Sequence, residues 1–183
     1  MIYVLLADGF EEIEALCPVD LLRRAGLPLL TAAVGEKNVT GAHGICVTAD
    51  ITAKEAVAAP EHIDALILPG GMPGAKNLDA CPETDELIRR TLQDGGHIGA
   101  ICAAPFILGR RGLLAGRAAV CFPGFESYLT GAKIEDRHVV TDGPFTTAVG
   151  MGAAAEFALA LVRRLCGEET ARKLAEGAFI AAS

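Results

Sequence analysis

The sequence predicts an α/β fold with a mostly parallel sheet, and three observations carry that prediction. Segments that read as strands alternate with segments that read as helices, which sets successive strands parallel and places helices on both faces of the sheet. The strand segments, such as Ile2-Tyr3-Val4-Leu5-Leu6 and Ala65-Leu66-Ile67-Leu68, are continuous apolar runs, as a sheet covered on both sides requires. Three strands end in residues suited to chemistry: an acidic helix start at Glu11-Glu12-Ile13-Glu14, a glycine-rich turn at Gly70-Gly71-Met72-Pro73-Gly74, and a thiol at Cys102. In open α/β sheets, sites assemble at the carboxyl ends of the strands.

Taken in order, the chain opens with a strand over 2–6 and a helix over 11–25. Pro18 lies inside that helical pattern and removes an i→i−4 hydrogen bond, so a kink or break is expected there, one that turns Glu14 inward. A strand over 28–34, a hairpin across 38–48, a short helix over 53–58 and a strand over 63–68 follow. Helices over 73–79 and 83–94 lead to a strand over 97–101, which runs directly into a helix over 103–111. A strand over 118–122 and a helical turn near 124–129 come next. Residues 133–148 hold short strands around the Asp142-Gly143 turn, and helices over 151–165 and 168–178 close the chain. Internal repeats and low-complexity linkers are absent from the sequence, and 183 residues suit one domain spanning 1–183 with a full core.

Composition narrows the function classes. A formal net charge of −7 and the lack of a basic stripe argue against nucleic-acid binding. The pairs Arg23-Arg24, Arg89-Arg90, Arg110-Arg111 and Arg163-Arg164 sit near helix C-termini, where cations complement the dipole. The six cysteines are too widely spaced for a CxxC redox pair or a zinc ribbon, and the four histidines lie far apart, so no metal is expected. Charge interrupts every apolar run before membrane-spanning length, and no signal peptide is read. A cytoplasmic protein with reduced thiols, no membrane association and no cofactor is the expectation.

Cys102 is the most informative residue. It stands between the strand His97–Ile101 and the following helix, with small residues Ala100 and Ala104 two positions to either side. A nucleophile at such a junction sits on a sharp turn in strained backbone. Free N–H groups at the helix start favour the thiolate, so Cys102 is expected to be the most acidic of the six, below about 8.5. The alternative is a small apolar filler in a buried segment. Glu11, Glu12 and Glu14 complement the helix N-terminus as acidic residues commonly do. Gly70, Gly71 and Gly74 suit a turn that needs positive φ, without the spacing of a nucleotide-binding loop.

The runs Asp8-Gly9-Phe10-Glu11-Glu12-Ile13-Glu14, Pro18-Val19-Asp20 and Arg23-Arg24-Ala25-Gly26 resemble the opening of the ThiJ/PfpI superfamily, closest to its Parkinsonism-associated (DJ-one-like) branch. Leu68-Pro69-Gly70-Gly71, Gly74-Ala75, Asn77-Leu78, Ala100-Ile101-Cys102-Ala103, Asp142-Gly143, Gly150, Gly152 and Glu156–Ala160 continue the pattern in order, over nearly the whole chain. The resemblance implies a three-layer flavodoxin-like sandwich of the class I glutamine amidotransferase type. It implies that Cys102 and Glu14 are catalytic, with Glu14 the carboxyl partner of the thiol, and that Gly70, Gly71 and Ala103 bind an oxyanion or substrate. Many members carry a His shortly after the next strand. Phe122 stands there instead, which speaks against protease or amidase chemistry and makes Phe122, with Cys121, an apolar rim to the pocket. The resemblance also implies a homodimer across the first helix, with Asp20, Arg23 and Arg24 near the boundary and Arg24 reaching toward the partner's site. His97 is expected to be structural or solvent-facing, and His43 an exposed loop residue. The function implied is a cofactor-independent glyoxalase or deglycase acting on reactive dicarbonyls such as methylglyoxal, or on their early glycation adducts. The alternative is a non-enzymatic oxidative-stress sensor or protective chaperone that uses an oxidisable Cys102.

Overall fold

Strands and helices alternate along the chain, and the computed structural model describes residues 1–180. In order they are β1 (Ile2–Leu6), α1 (Glu12–Arg24), β2 (Leu29–Ala33), β3 (Asn38–Thr40), β4 (Cys46–Thr48), β5 (Ile51–Thr52), α2 (Ala53–Ala58), β6 (Ala65–Leu68), α3 (Gly74–Ala80) and α4 (Pro82–Gln93). Then come β7 (His97–Ile101), α5 (Pro105–Arg110), β8 (Ala118–Ala119), β9 (Lys133–Ile134), β10 (Val139–Asp142), β11 (Phe145–Ala148), α6 (Ala154–Cys166) and α7 (Glu168–Gly177). Seven strands form the central sheet in the order β10-β11-β7-β6-β1-β2-β5. Its pairings are parallel except for β10 with β11, which turn tightly through Gly143 at φ 59°. The α/β class with a mostly parallel sheet is therefore as the sequence predicts, and the β3–β4 pair is the expected hairpin.

Side chains of successive strand residues leave the sheet on opposite faces, which is why continuous apolar runs suit it. Tyr3 and Leu5 of β1 join one core layer with Leu78, Leu87 and Ile107 from α3, α4 and α5. Ile2, Val4 and Leu6 join the other, with Leu22 of α1 and Phe157 and Leu161 of α6. Phe157 is fully buried against β7, and a Cβ on Gly99 would meet its ring at 2.8 Å. His97 is buried in β7, and its Nε2 pairs with Thr146 Oγ1 of β11 at 2.8 Å. Burial, with the charge of Arg164, lowers its imidazole to about 4, so it is neutral and structural.

Three local expectations are corrected. Helix α1 runs unbroken through Pro18; Glu14 faces inward because it shares the buried face with Pro18 four residues on, not because the helix breaks. The helix after Cys102 begins at Pro105, at the first helical position that proline favours; residues 102–104 form a turn closed by Ala104 N–H to Ile101 C=O at 3.0 Å. The strand expected over 118–122 keeps only Ala118–Ala119, paired with β9 outside the main sheet. Beyond it, Val120 N–H bonds Thr147 Oγ1 at 2.9 Å and Phe122 N–H bonds Cys102 C=O at 2.8 Å, so side chain and turn replace the ladder.

Phe157 anchors α6 to the middle of the sheet. Phe157→Ala should destabilise the fold by about 3–5 kcal/mol, read as a lowered urea midpoint at unchanged slope.

Candidate active site

Cys102 caps the carboxyl end of β7 with a φ of 63°, a left-handed conformation that costs a non-glycine residue about 1–3 kcal/mol. Two backbone bonds hold it there: its N–H to Ala148 C=O at 2.8 Å, and its C=O from Phe122 N–H at 2.8 Å. Ala100, Ala103 and Ala104 around it are buried, so the small neighbours expected of the turn are in place. The thiol is half-buried and receives the N–H groups of Gly71 and Ala103.

Glu14 comes from the first turn of α1 and is 1 % exposed. Its Oε2 accepts the Gly70 N–H at 3.0 Å, and the Cys102 thiol and the Met151 N–H lie beside its carboxyl. Gly70 makes this meeting possible: a Cβ there would lie 2.6 Å from Glu14 Oε2 and 2.7 Å from Cys102 Cβ. Gly71 has φ 86°, and a Cβ on it would strike Glu11 N at 2.4 Å. The two glycines therefore let β6 approach both acids. Of the residues expected to bind an oxyanion or substrate, Gly71 and Ala103 direct their N–H groups to the sulfur, while the Gly70 N–H is taken by Glu14.

Phe122 is half-exposed beside the pair: the Cβ position of Gly150 lies 3.5 Å from its ring and 3.9 Å from Glu14 Oε1. Cys121 is not on the rim but buried in the core, where burial and then the charge of Glu126 raise its thiol to about 11. Arg24 does not approach the site of its own chain. It is exposed, pairs with Asp20 at 2.6 Å, and sits ten residues along α1 from Glu14, about 15 Å at the helical rise.

Sequence reading missed Glu12. It is buried, its Oε1 accepts the His43 N–H at 2.7 Å, and its Oε2 meets His43 Nδ1 at 2.8 Å, so it ties the loop between β3 and β4 to the start of α1. Gly41 leaves the room, since a Cβ there would meet Glu12 Oε1 at 2.3 Å. Acidic residues at helix starts are so common that the sequence carries no sign of this latch. Glu11, Glu12 and His43 offer ligand atoms within 4.8 Å of one another, the place among the described residues where a metal could be held. The hydrogen bonds of Glu12 account for the grouping without one.

The sequence profile described as the DJ-1/PfpI family matches residues 1–164. The chain belongs to that family. It is 33 % identical over 181 residues to Protein dj-1beta of Drosophila melanogaster, covering 97 % of this chain and 96 % of the relative. It is 36 % identical over 169 residues to a Caenorhabditis elegans protein named glutathione-independent glyoxalase DJR-1.2, covering 91 % and 89 %. Oxidized DJ-1 of Toxoplasma gondii superposes with a TM-score of 0.93 at 33 % identity, covering 99 % of this chain and 98 % of that one. The flavodoxin-like sandwich implied by the sequence motifs is thus the fold of this DJ-1/PfpI chain.

Burial raises both acids in this DJ-1/PfpI site. The Glu14 carboxyl goes up to about 7 through loss of water, with the Glu11 charge adding to the rise; the bonds from Cys102, Gly70 and Met151 oppose it. The Cys102 thiol goes up to about 12 through burial, then through the charge and hydrogen bond of Glu14, against the N–H groups of Gly71 and Ala103. The expectation of a thiol below 8.5 is therefore corrected. An ionised carboxylate beside the sulfur outweighs two N–H donors, and the six-residue α5 that starts three residues later adds little dipole. The two acids titrate as one pair, which loses its first proton near 7 and its second far higher, and holds one proton between them in the interval.

Between its ordinary 4.5 and about 7, Glu14 binds more protons folded than unfolded, so it lowers stability as pH rises across that window. His97, lowered from 6.5 to about 4, binds fewer protons folded and acts with the opposite sign over nearly the same range. Glu14→Gln removes the first slope alone. The variant should gain stability relative to the native chain from pH 4.5 to 7, measured by urea midpoints at both ends. A constant difference would show that this carboxyl titrates normally.

Proposed function

We propose that this chain is a cysteine-dependent enzyme of the glyoxalase or deglycase type, acting on 2-oxoaldehydes such as methylglyoxal or on their early adducts with amines and thiols. The observation that carries the reading is the meeting of the Glu14 carboxyl and Cys102 across Gly70, whose Cβ position lies 2.6 Å from Glu14 Oε2 and 2.7 Å from Cys102 Cβ, with the Gly71 and Ala103 N–H groups at the sulfur. A carboxyl that titrates near neutrality can take the thiol proton as the sulfur adds to a carbonyl, and then move protons at carbon. The worm relative named as a glutathione-independent glyoxalase supports the same reaction class.

In this reading Glu14, as carboxylate, takes the thiol proton as the Cys102 sulfur adds to the aldehyde carbon, and passes it to the new alkoxide to give a hemithioacetal. Glu14, again a carboxylate, removes the hydrogen from that carbon while the hemithioacetal hydroxyl passes its proton to the neighbouring ketone oxygen, giving an enediolate. The same carboxyl returns a proton to the adjacent carbon, leaving a thioester of a 2-hydroxy acid. Water cleaves the thioester, releases the hydroxy acid and restores the thiol. The donors at Gly71 and Ala103 stabilise the oxyanions that form next to the sulfur. The balance is one 2-oxoaldehyde and one water to one 2-hydroxy acid. His97 is buried on Thr146 and His43 is bound to Glu12, so neither supplies the imidazole base that amidase chemistry needs.

The same reading has the chain work as one domain and as a homodimer, in the cytoplasm. Ile13 of α1 is large, apolar and 48 % exposed, as a helix that packs against a second copy requires. Among the described residues no helix is long and apolar enough to cross a membrane. A second reading, a redox sensor, is favoured by the half-buried thiol and by the oxidized form of the Toxoplasma relative. There the thiolate would attack a peroxide, forming sulfenate and expelling hydroxide or alkoxide as the leaving group.

Lactate formation from methylglyoxal tests the enzymatic reading. Cys102→Ser should abolish it, and Glu14→Gln should lower kcat by about 10²–10⁴ while the thiol stays reactive to iodoacetamide. The native rate should rise with pH through about 7, as the pair loses its first proton. Peroxide-driven mass gain on Cys102 without lactate formation would favour the sensor.

A further inference from the structure

Two half-exposed apolar side chains stand beside the buried pair, on loops that end different strands. Phe122, after β8, is 47 % exposed and is brought to the site by its N–H bond to the Cys102 C=O at 2.8 Å. Met151, after β11, is 50 % exposed and follows directly on Gly150, whose Cβ position lies 3.9 Å from Glu14 Oε1. Between them lies Gly150, whose bare Cα leaves the Phe122 ring and Glu14 Oε1 facing each other across its Cβ position at 3.5 and 3.9 Å. The charged groups gathered beside the pair are carboxylates. Glu11 adds its charge to Glu14, and the nearby His43 ring is bound to Glu12.

We infer that Phe122 and Met151 set the substrate class, selecting 2-oxoaldehydes that carry an alkyl or aryl substituent over unsubstituted or anionic carbonyls. The inference rests on the reading of Cys102 and Glu14 as a carbonyl site. An aldehyde carbon bonded to the Cys102 sulfur has its oxygen at the Gly71 and Ala103 N–H groups and its hydrogen at Glu14. Its remaining substituent is directed outward, past the Phe122 ring and the Met151 thioether. Covering those two surfaces removes apolar area from water, a gain that an unsubstituted dicarbonyl cannot provide. An anionic substituent would meet apolar atoms and the field of Glu11.

The test is protection of Cys102 from iodoacetamide by glyoxal, phenylglyoxal and glyoxylate. Each protecting concentration is divided by that aldehyde's affinity for a free thiol in solution, which cancels intrinsic electrophilicity. After this correction phenylglyoxal should protect at about tenfold lower concentration than glyoxal, a ratio typical of small apolar increments in a pocket, and glyoxylate should protect least. Phe122→Ala and Met151→Ala should each bring the phenylglyoxal-to-glyoxal ratio severalfold toward one, and Phe122→Leu should retain most of it. Both residues are half-exposed, so the variants keep the core, and an unchanged urea midpoint checks this. A corrected ratio of one in the native chain, or the native ratio in both alanine variants, would overturn the inference. Turnover measured in parallel separates it from the reading beneath it. Protection in the expected order with no hydroxy acid formed would support the selectivity and refute the enzymatic chemistry.

Discussion

The meeting of Glu14, Gly70 and Cys102 is the constraint around which the rest of this molecule is arranged. The carboxyl comes from α1, the N–H that receives it from the end of β6, and the thiol from the end of β7. Each is fixed by something else: Glu14 by the buried face of α1, Gly70 by its Glu11 N–H to Gly70 C=O bond at 3.0 Å, and Cys102 by its bonds to Ala148 and Phe122. No side chain larger than hydrogen fits at position 70 without displacing one acid or the other. The positive φ of Cys102 persists because neighbouring strands hold both of its backbone groups, which is how a fold retains a strained residue.

Electrostatics in the pair run against the usual route to a reactive cysteine. A thiol is commonly acidified by a nearby cation or a long helix dipole. Here burial raises the sulfur together with the carboxyl, the nearest charge is negative, and the following helix is short. What makes the pair useful is the shared proton. As the pair loses its first proton the negative charge rests on the carboxyl, and N–H groups serve both partners: Gly70 and Met151 at the carboxyl, Gly71 and Ala103 at the sulfur. Such a site donates or accepts a proton with little rearrangement, as proton movement between adjacent carbons demands.

The strands were legible because continuous apolar runs bury both faces, and β1, β2 and β7 lie within a residue of where periodicity puts them. The junction at Cys102 was legible because a thiol followed by small residues and Pro105 marks a strand ending in a turn. The end of β8 was not, since Val120-Cys121-Phe122 has the composition of a strand and only the Thr147 hydroxyl and the Cys102 carbonyl show where its N–H groups go. The direction of the Cys102 titration was not legible either. It depends on the distance between two acids 88 positions apart, and helix-start reasoning sees only the N–H groups nearby. Glu12 illustrates the same limit from the other side: identical in type to Glu11 and next to it, it is buried because the chain passes through Gly41 and His43 against it.

That latch bears on how the site is kept in place. Glu12 clamps the β3–β4 hairpin loop to the first turn of α1, the same turn that carries Glu14 and is capped by Glu11 through the Glu14 N–H at 2.7 Å. A helix end is ordinarily the part that frays, because its first N–H groups lack partners within the helix. In this chain the end is tied on three sides, by the Glu11 cap, by the hairpin through Glu12, and by β6 through the Glu11 N–H bond to Gly70 C=O. A carboxyl that must stay against a thiol with its proton shared cannot be carried on a fraying turn. The run of acidic residues at the start of α1 is therefore best understood as three different functions placed side by side: one residue caps, one clamps, and one faces the sulfur.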